Sequence, residues 1–256
     1  MSLTTCPLAS RNWPSRDGLR LGCLNVCHIA NKIDDVTYLF ANGDKPFHIF
    51  GICESWLVDS VPDTSIRINN YDILRRDISS KGSTGILVYI HSNLNFIRRL
   101  DLESDFVECI WLELFVKNSS SLLISIMYRH PKADVQWFGF FTEMMDRVWI
   151  LSKEMYILGD LNINDPAKNV NWNTIYTSFN LNQLINIPSR INNTSSTTID
   201  HIYCNSCQYI KEVCVPPCGV SDHYPVCCTW TKNNTRFPCN VHFCITYRSF
   251  KNLHFN

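Results

Sequence analysis

Four apolar runs in this chain stop on a polar residue, and that pattern limits what it can fold into. Leu19 to Leu24 leads to Asn25, Phe47 to Cys53 delivers Glu54, Leu122 to Met127 ends on Tyr128, and Met155 to Leu158 leads through Gly159 to Asp160. Runs of this length, rich in Ile, Val and Leu and bounded by turn residues, read as buried strands. A fifth polar residue, Asp200, follows Thr198-Ile199 and precedes Ile202-Tyr203 in the same manner, and Ser221-Asp222-His223-Tyr224-Pro225 follows near the C-terminus. Polar side chains at strand ends, beneath loops, are where such scaffolds carry chemistry.

Further strands are expected at Tyr71 to Leu74, Gly85 to Ile90, Ile110 to Val116, Tyr209 to Val215 and Tyr224 to Trp230. Helical spacing appears at Asn31 to Phe40, Val135 to Leu151 and Trp172 to Phe179. Strands outnumber helices and adjoin one another, which predicts an α/β sandwich of two mixed, largely antiparallel sheets faced by helices. One domain over 19–231 is expected, after a loose leader over 1–18 and before a tail over 232–256.

The chain has 23 basic and 23 acidic residues. That balance argues against nucleic-acid binding driven mainly by a basic field, but permits an enzyme that holds phosphate through a metal and a few donors. No run of about 18 apolar residues exists, so no membrane span is expected. The first residues lack the basic and apolar regions of a signal peptide. The 13 cysteines are therefore expected to be reduced thiols of an intracellular, non-secreted protein. Cys204-x-x-Cys207 and Cys214-x₃-Cys218 are separated by only six residues, too few for an ordinary zinc knuckle, and no zinc is expected.

Residue chemistry gives each strand-end group a role and a plainer alternative. Glu54 suits Mg²⁺, which takes one or two carboxylates and completes its shell with water and phosphate; it equally suits a solvated strand end. Asp160 and Asn162 lie two apart, so in extended geometry both face one side, where an acceptor handles water and an amide holds a phosphoryl oxygen. Gly-Asp-x-Asn is also common turn chemistry. Asp200, buried by its neighbours, needs a partner, and pairing with His223 would fix the imidazole tautomer. The Tyr128 phenol could donate to phosphate or pack with a wet tip.

Taken in order, Leu24-Asn25-Val26, Cys53-Glu54-Ser55-Trp56, Met127-Tyr128-Arg129, Gly159-Asp160-Leu161-Asn162, Thr198-Ile199-Asp200 and Ser221-Asp222-His223 resemble the endonuclease/exonuclease/phosphatase superfamily, with its DNase I-like four-layer sandwich. The wording of Ile52 to Leu57 and Ser221 to Val226 looks most like the apurinic/apyrimidinic-endonuclease-like domain of non-LTR (LINE-type) retrotransposons. Residues 245–251 are similar to the connector toward a reverse transcriptase, so the chain reads as a polyprotein cut short after its first enzyme.

The resemblance implies a Mg²⁺ site, with Mn²⁺ as a substitute, at Glu54, with Asn25 and Asp222 close by. It assigns the water to Asp160 and Asn162, the phosphate to His223 held by Asp200, and a phosphate hydrogen bond to Tyr128. Arg129 and Thr198 are candidate substrate contacts, and the charges of Arg75, Arg76, Arg98, Arg99, Lys132 and Arg190 make them candidates for phosphate contacts, though most equally suit plain surface charges. Double-stranded DNA is the implied partner, nicked to leave a 3′-hydroxyl for reverse transcription, and action in the nucleus follows from that substrate. Two departures stand out: Lys81-Gly82-Ser83-Thr84-Gly85 where a longer glycine run is usual, and His28 where a basic residue is usual. A superfamily phosphatase or phosphodiesterase acting on a lipid or nucleotide, and an inactive retroelement remnant, stay open as alternatives. Oligomeric state is not legible.

Overall fold

The computed structural model describes residues 6–15, 17–42, 46–78, 83–232 and 237. Most of the expected tail and the Lys81-Gly82 segment lie outside them. Fourteen strands appear among the described residues: β1 (Leu19–Asn25), β2 (Ile49–Cys53), β3 (Tyr71–Arg76), β4 (Ile86–His91), β5 (Asn95–Arg98), β6 (Glu108–Phe115), β7 (Leu122–Tyr128), β8 (Glu154–Asp160), β9 (Asn182–Gln183), β10 (Arg190–Ile191), β11 (Ser196–Thr197), β12 (Asp200–Cys204), β13 (Ile210–Cys214) and β14 (Val226–Trp230). Three α-helices accompany them: α1 (Ile33–Asn42), α2 (Gln136–Trp149) and α3 (Val170–Ser178).

Two six-stranded sheets form, in the orders β13-β14-β1-β2-β4-β3 and β5-β6-β7-β8-β12-β9. Each has one parallel pair near its middle, β1 with β2 and β7 with β8, and its other pairings are antiparallel. Strands covered on both faces need apolar residues at both parities, which is why β1, β4 and β7 read as continuous runs. Between the sheets lie Leu21, Cys23, Ile49, Cys53, Ile124, Ile126, Leu158 and Ile202. The outer face of the second sheet packs under α2 and α3 through Trp111, Met127, Phe141, Ile157 and Trp172. On the first sheet, α1 supplies Val36 and Leu39 against Leu24, Phe50 and Leu87. The result is the four-layer sandwich expected from the sequence.

Strand parity then fixes the site. Side chains alternate faces along a strand. Leu21 and Cys23 face the inter-sheet core, so Asn25 does too; the same holds for Asp160 after Tyr156 and Leu158, for Tyr128 after Ile124 and Ile126, and for Asp200 before Ile202 and Cys204. Register aligns their heights: Tyr128 pairs with Asp160, and Asp160 with Asp200. Four polar groups thus take the last inward position of four strands, where the apolar filling of the sandwich stops.

Two expectations are corrected. The cysteines are not all free, since Cys6 and Cys207 form a disulfide. The cause is pairing of the N-terminal stretch beside β13: Ser10 bridges Cys214, with Ser10 N–H on the Val213 carbonyl at 3.0 Å and Val215 N–H on the Ser10 carbonyl at 2.7 Å. That pairing brings the Cys6 and Cys207 Cα atoms to 5.4 Å. The same contacts show residues 6–10 held against the sheet rather than loose.

Two positions next to the site yield measurable consequences. Gly159 has φ of 153°, and a Cβ there would lie 1.7 Å from the Met127 carbonyl oxygen on the neighbouring strand. Gly159→Ala must therefore separate β7 from β8, and is expected to cost about 3 kcal/mol or more by urea unfolding. His201 is wholly buried beside Asp200; its Nε2–H donates to the Ile163 carbonyl at 2.8 Å, leaving Nδ1 to accept from Gln183 Nε2 at 3.0 Å. Burial lowers its pKa to about 4. The folded state thus refuses a proton that the unfolded chain accepts below about 6.5, so this histidine's contribution is full above that pH and is lost as pH falls toward 4. Relative to His201→Gln, the wild type should lose about 1.4 kcal/mol of stability per pH unit across that window.

Candidate active site

Asn25 sits at the centre of the polar cluster. Its Nδ2 donates to Glu54 Oε1 at 2.8 Å and to Asp160 Oδ2 at 3.0 Å, while its Oδ1 accepts the Cys27 N–H at 3.0 Å. A carboxylate from each sheet is therefore joined through one buried amide. Glu54 Oε1 also accepts the Tyr128 hydroxyl at 3.0 Å, and Oε2 takes no hydrogen bond from the described residues. Asp160 Oδ1 accepts the Asn162 N–H at 2.9 Å, and Asn162 Nδ2 donates to the Arg129 carbonyl at 2.9 Å.

On the far side, His223 Nδ1 donates to Asp200 Oδ2 at 2.8 Å and lies 3.9 Å from Asp160 Oδ2. Asp160, Asp200 and His223 are each 1–3% exposed, so solvent does little to screen them. Burial first, and the neighbouring Asp200 second, push the Asp160 pKa up to about 8. For His223 burial acts against the charged ring, but the charge and hydrogen bond of Asp200, with Asp160 and Asp222 behind them, outweigh it and raise its pKa. The Tyr128 phenol is pushed well above its ordinary range by burial and by Glu54, so it remains a donor.

Asp222 stands nearer the surface. Its Oδ2 accepts from Arg190 Nε at 2.7 Å, and although burial opposes ionisation, that contact with the His223 and Arg190 charges lowers its pKa. Asp160, Asp200 and His223 each offer a ligand atom within 4.8 Å of the others, a second grouping with metal-compatible chemistry.

The loops bearing these groups are strained. Cys27, His28, Glu54, Trp56 and Asn162 all have positive φ, at 47°, 91°, 52°, 54° and 51°, a conformation that non-glycine residues hold only when their surroundings over-determine it. Those surroundings are explicit. His28 N–H donates to the Glu54 carbonyl at 2.8 Å, Ile29 N–H to the Ser55 carbonyl at 3.1 Å, and Trp56 N–H to the Thr84 carbonyl at 2.7 Å.

Asn25, Glu54, Tyr128, Asp160, Asn162, Asp200, Asp222 and His223 thus meet at one end of the sandwich. The Tyr128 hydroxyl, expected to meet a phosphate oxygen, braces Glu54 here. Five of the other candidate contacts have partners away from this cluster. Arg75 binds Asp63 and Asp77, Arg76 the carbonyls of Val107 and Cys109, and Arg98 Glu103. Arg129 lies beneath α2 against the Trp137 and Phe138 rings, with one nitrogen on the Ala133 carbonyl. Thr198 gives its backbone N–H to Asn164.

Three supporting residues escaped the sequence reading. Ser189, fully buried, donates from its hydroxyl to Asp200 Oδ2 at 2.8 Å and accepts the Asp200 N–H at 3.0 Å. The Ser221 hydroxyl donates to the Asn25 carbonyl at 2.6 Å and accepts the His223 N–H at 3.1 Å. Glu108 accepts the Thr84 and Gly85 N–H groups, fixing the loop that holds Trp56. Only Ser221 had a sequence signal, its place in the Ser-Asp-His run.

No protein-family model matches the sequence, and no curated protein matches it. Solved structures do. The endonuclease domain of TRAS1, a telomere-specific non-LTR retrotransposon, aligns over 83% of this chain and 98% of its own at 14% identity, with a TM-score of 0.65. A Neisseria 3′ phosphatase bound to a product DNA hairpin aligns over 84% and 100% at 17% identity, TM-score 0.61. The Xenopus laevis APE2 catalytic domain aligns over 84% and 94% at 14% identity, TM-score 0.60. The likeness shows the fold: this chain has the α/β sandwich of these solved nuclease and phosphatase domains.

Proposed function

We propose that the protein is a divalent-metal-dependent endonuclease that hydrolyses DNA phosphodiesters. The observation that carries this reading is the Asn25 amide joining Glu54 to Asp160, with the Asp200–His223 pair 3.9 Å beyond. The donor set fits a hard cation. Glu54 is fixed through one oxygen, its other oxygen takes no donor among the described residues, and Asp222 supplies a second carboxylate at the rim. Glu54 and Asp222 would hold Mg²⁺, or Mn²⁺ in its place, with Asn25 setting the Glu54 orientation. When bound, the cation supplies stabilisation of charge on the phosphoryl oxygens and the leaving 3′-oxygen.

The chain's own groups do the rest. Asp160 is held by two N–H donors and titrates near neutral pH, which suits a carboxylate that accepts a proton from the attacking water. Asn162 anchors that loop and leaves its side-chain oxygen to orient the water. His223, its charged form favoured by Asp200, presents its other ring nitrogen toward a phosphate oxygen. Tyr128 restrains Glu54.

The product DNA hairpin bound by the Neisseria neighbour supports DNA as substrate, and the TRAS1 domain supports an origin in a retroelement. On this reading the product is a nick with a 3′-hydroxyl that primes reverse transcription in the nucleus, by a reverse transcriptase domain of the parent polyprotein. The Neisseria neighbour makes a 3′ phosphatase the competing activity on the same site.

Supercoiled plasmid tests the proposal. The wild type should nick with Mg²⁺ or Mn²⁺ and stop with EDTA. Glu54→Ala and His223→Ala should each slow nicking at least about 100-fold. Equal nicking by all three proteins, or phosphate release without nicking, would discard the assignment. Asp200→Asn should lower the rate by about 10²- to 10⁴-fold, since the imidazole loses its anionic partner. Because Asp200 raises the His223 pKa, its loss should also move the alkaline limb of the pH–rate profile to lower pH. An unmoved limb would separate His223 from the chemistry.

A further inference from the structure

The β10–β11 hairpin carries a cation that the mechanism has not used. Arg190 opens β10 and forms a backbone bridge with His223; Ile191 N–H donates to the Asp222 carbonyl at 3.0 Å, and Tyr224 N–H to the Ser189 carbonyl at 2.6 Å. Ser189, one residue earlier, is the group holding Asp200. The backbone on either side of Arg190 is thus tied to the loop bearing Asp222 and His223.

Its side chain is engaged at one end only. Nε donates to Asp222 Oδ2 at 2.7 Å, and neither terminal nitrogen gives a hydrogen bond to any described residue. The other arginines near the sheets differ: Arg75, Arg76, Arg98, Arg99 and Arg129 each commit terminal nitrogens to protein oxygens. The Arg190 side chain is 41% exposed, against 14% for Arg75 and 16% for Arg99. The Asp222 hydrogen bond raises its pKa, with Asp160 contributing, so the guanidinium lies within electrostatic reach of the buried carboxylate as well as the rim one.

A guanidinium is a planar fork of five donors that satisfies two anions at once when each takes a different edge. Here one edge is committed and the other is open at the mouth where Glu54, Asp160, Asp200 and Asp222 gather. A phosphodiester entering that mouth adds negative charge to four carboxylates, and needs a cation besides the divalent one. Of the other basic groups nearby, His223 has one nitrogen on Asp200 at 2.8 Å, and Lys32 is bent back onto the Val26 carbonyl at 2.6 Å.

We propose that Arg190 is a phosphate-binding residue of this site, its terminal nitrogens holding a non-bridging oxygen of the DNA phosphate between Asp222 and His223 while Nε stays on Asp222. The inference rests on the nuclease reading and deepens it. It also separates two roles the ion pair could have. As a phosphate ligand, Arg190 competes mildly with the metal for Asp222; as a mere brace, it helps Asp222 bind the metal.

The test uses the full chain, with Arg190→Gln and Arg190→Lys beside the wild type and thermal melts to confirm folding. DNA affinity is read by fluorescence anisotropy of a labelled duplex across a salt series in Ca²⁺, Mn²⁺ binding by titration without DNA, and turnover by plasmid nicking. Arg190→Gln should lower turnover about 10- to 100-fold and reduce the salt-dependence slope of DNA binding by about one, with Mn²⁺ bound as tightly as in the wild type or tighter. Arg190→Lys should restore the slope and only part of the turnover, because a point charge lacks the fork. An unchanged slope in Arg190→Gln, or a loss of Mn²⁺ affinity that tracks the loss of turnover, would overturn the proposal. A wild type that never nicks, with the slope still one lower in Arg190→Gln, would remove the nuclease reading and leave the phosphate site standing.

Discussion

The buried amide of Asn25 is the interaction on which the rest of this site depends. Two apolar sheets close on each other through aliphatic side chains, and nothing in that packing brings a carboxylate of one sheet toward a carboxylate of the other. Asn25 does so because a primary amide has two hydrogens, and one goes to Glu54 beside its own sheet and the other to Asp160 across the gap. A neutral donor is needed: an aspartate would add a third negative charge, and a lysine would neutralise the pocket that a divalent cation is proposed to occupy. The arrangement is costly, as the raised Asp160 pKa records. It persists because the core below it is large and the amide is itself fixed, its oxygen on the Cys27 N–H and its carbonyl on the Ser221 hydroxyl.

That cost extends into the backbone. Glu54 and Asn162 leave their strands in left-handed conformations, so each functional side chain projects from a turn that would relax if the loops were free. Cross-links between loops prevent relaxation: the 27–29 segment lies on the 54–55 segment, and the 84–85 segment on 55–56. Strain held this way keeps the groups pre-positioned, which matters where catalysis rests on orientation and electrostatics.

The legible part of this structure was the part written in hydrophobicity. β1, β2, β7 and β8 are buried on both faces, so each reads as an apolar run, and the polar residue at its end is conspicuous for interrupting it. Strands β9, β10 and β11 are two residues long and built from Asn, Gln, Arg, Ser and Thr with one Ile, so they exist through hydrogen bonding alone and leave no periodic trace. Ser189, just before that hairpin, was invisible for the same reason: a serine in a polar loop gains meaning only when register lays it beside Asp200. Charges were legible but their partners were not, which is why Arg75 and Arg76 read as ligand contacts and turn out to hold loops together. The missing signal-peptide pattern likewise pointed to free thiols, whereas pairing depends on which backbones run side by side.

Burial separates two jobs within the proposed mechanism. Asp160, Asp200 and His223 are almost inaccessible and already bonded to one another or to fixed donors, so a cation among them would have to displace an existing proton and enter without its water. Mg²⁺ gives up water reluctantly and prefers carboxylates it can reach with part of its shell intact. Glu54 and Asp222 are the accessible pair, each bound to protein through a single oxygen. Proton handling therefore belongs to the dry trio and cation binding to the rim. A phosphate that touches both must lie between them, beside the open edge of the Arg190 guanidinium.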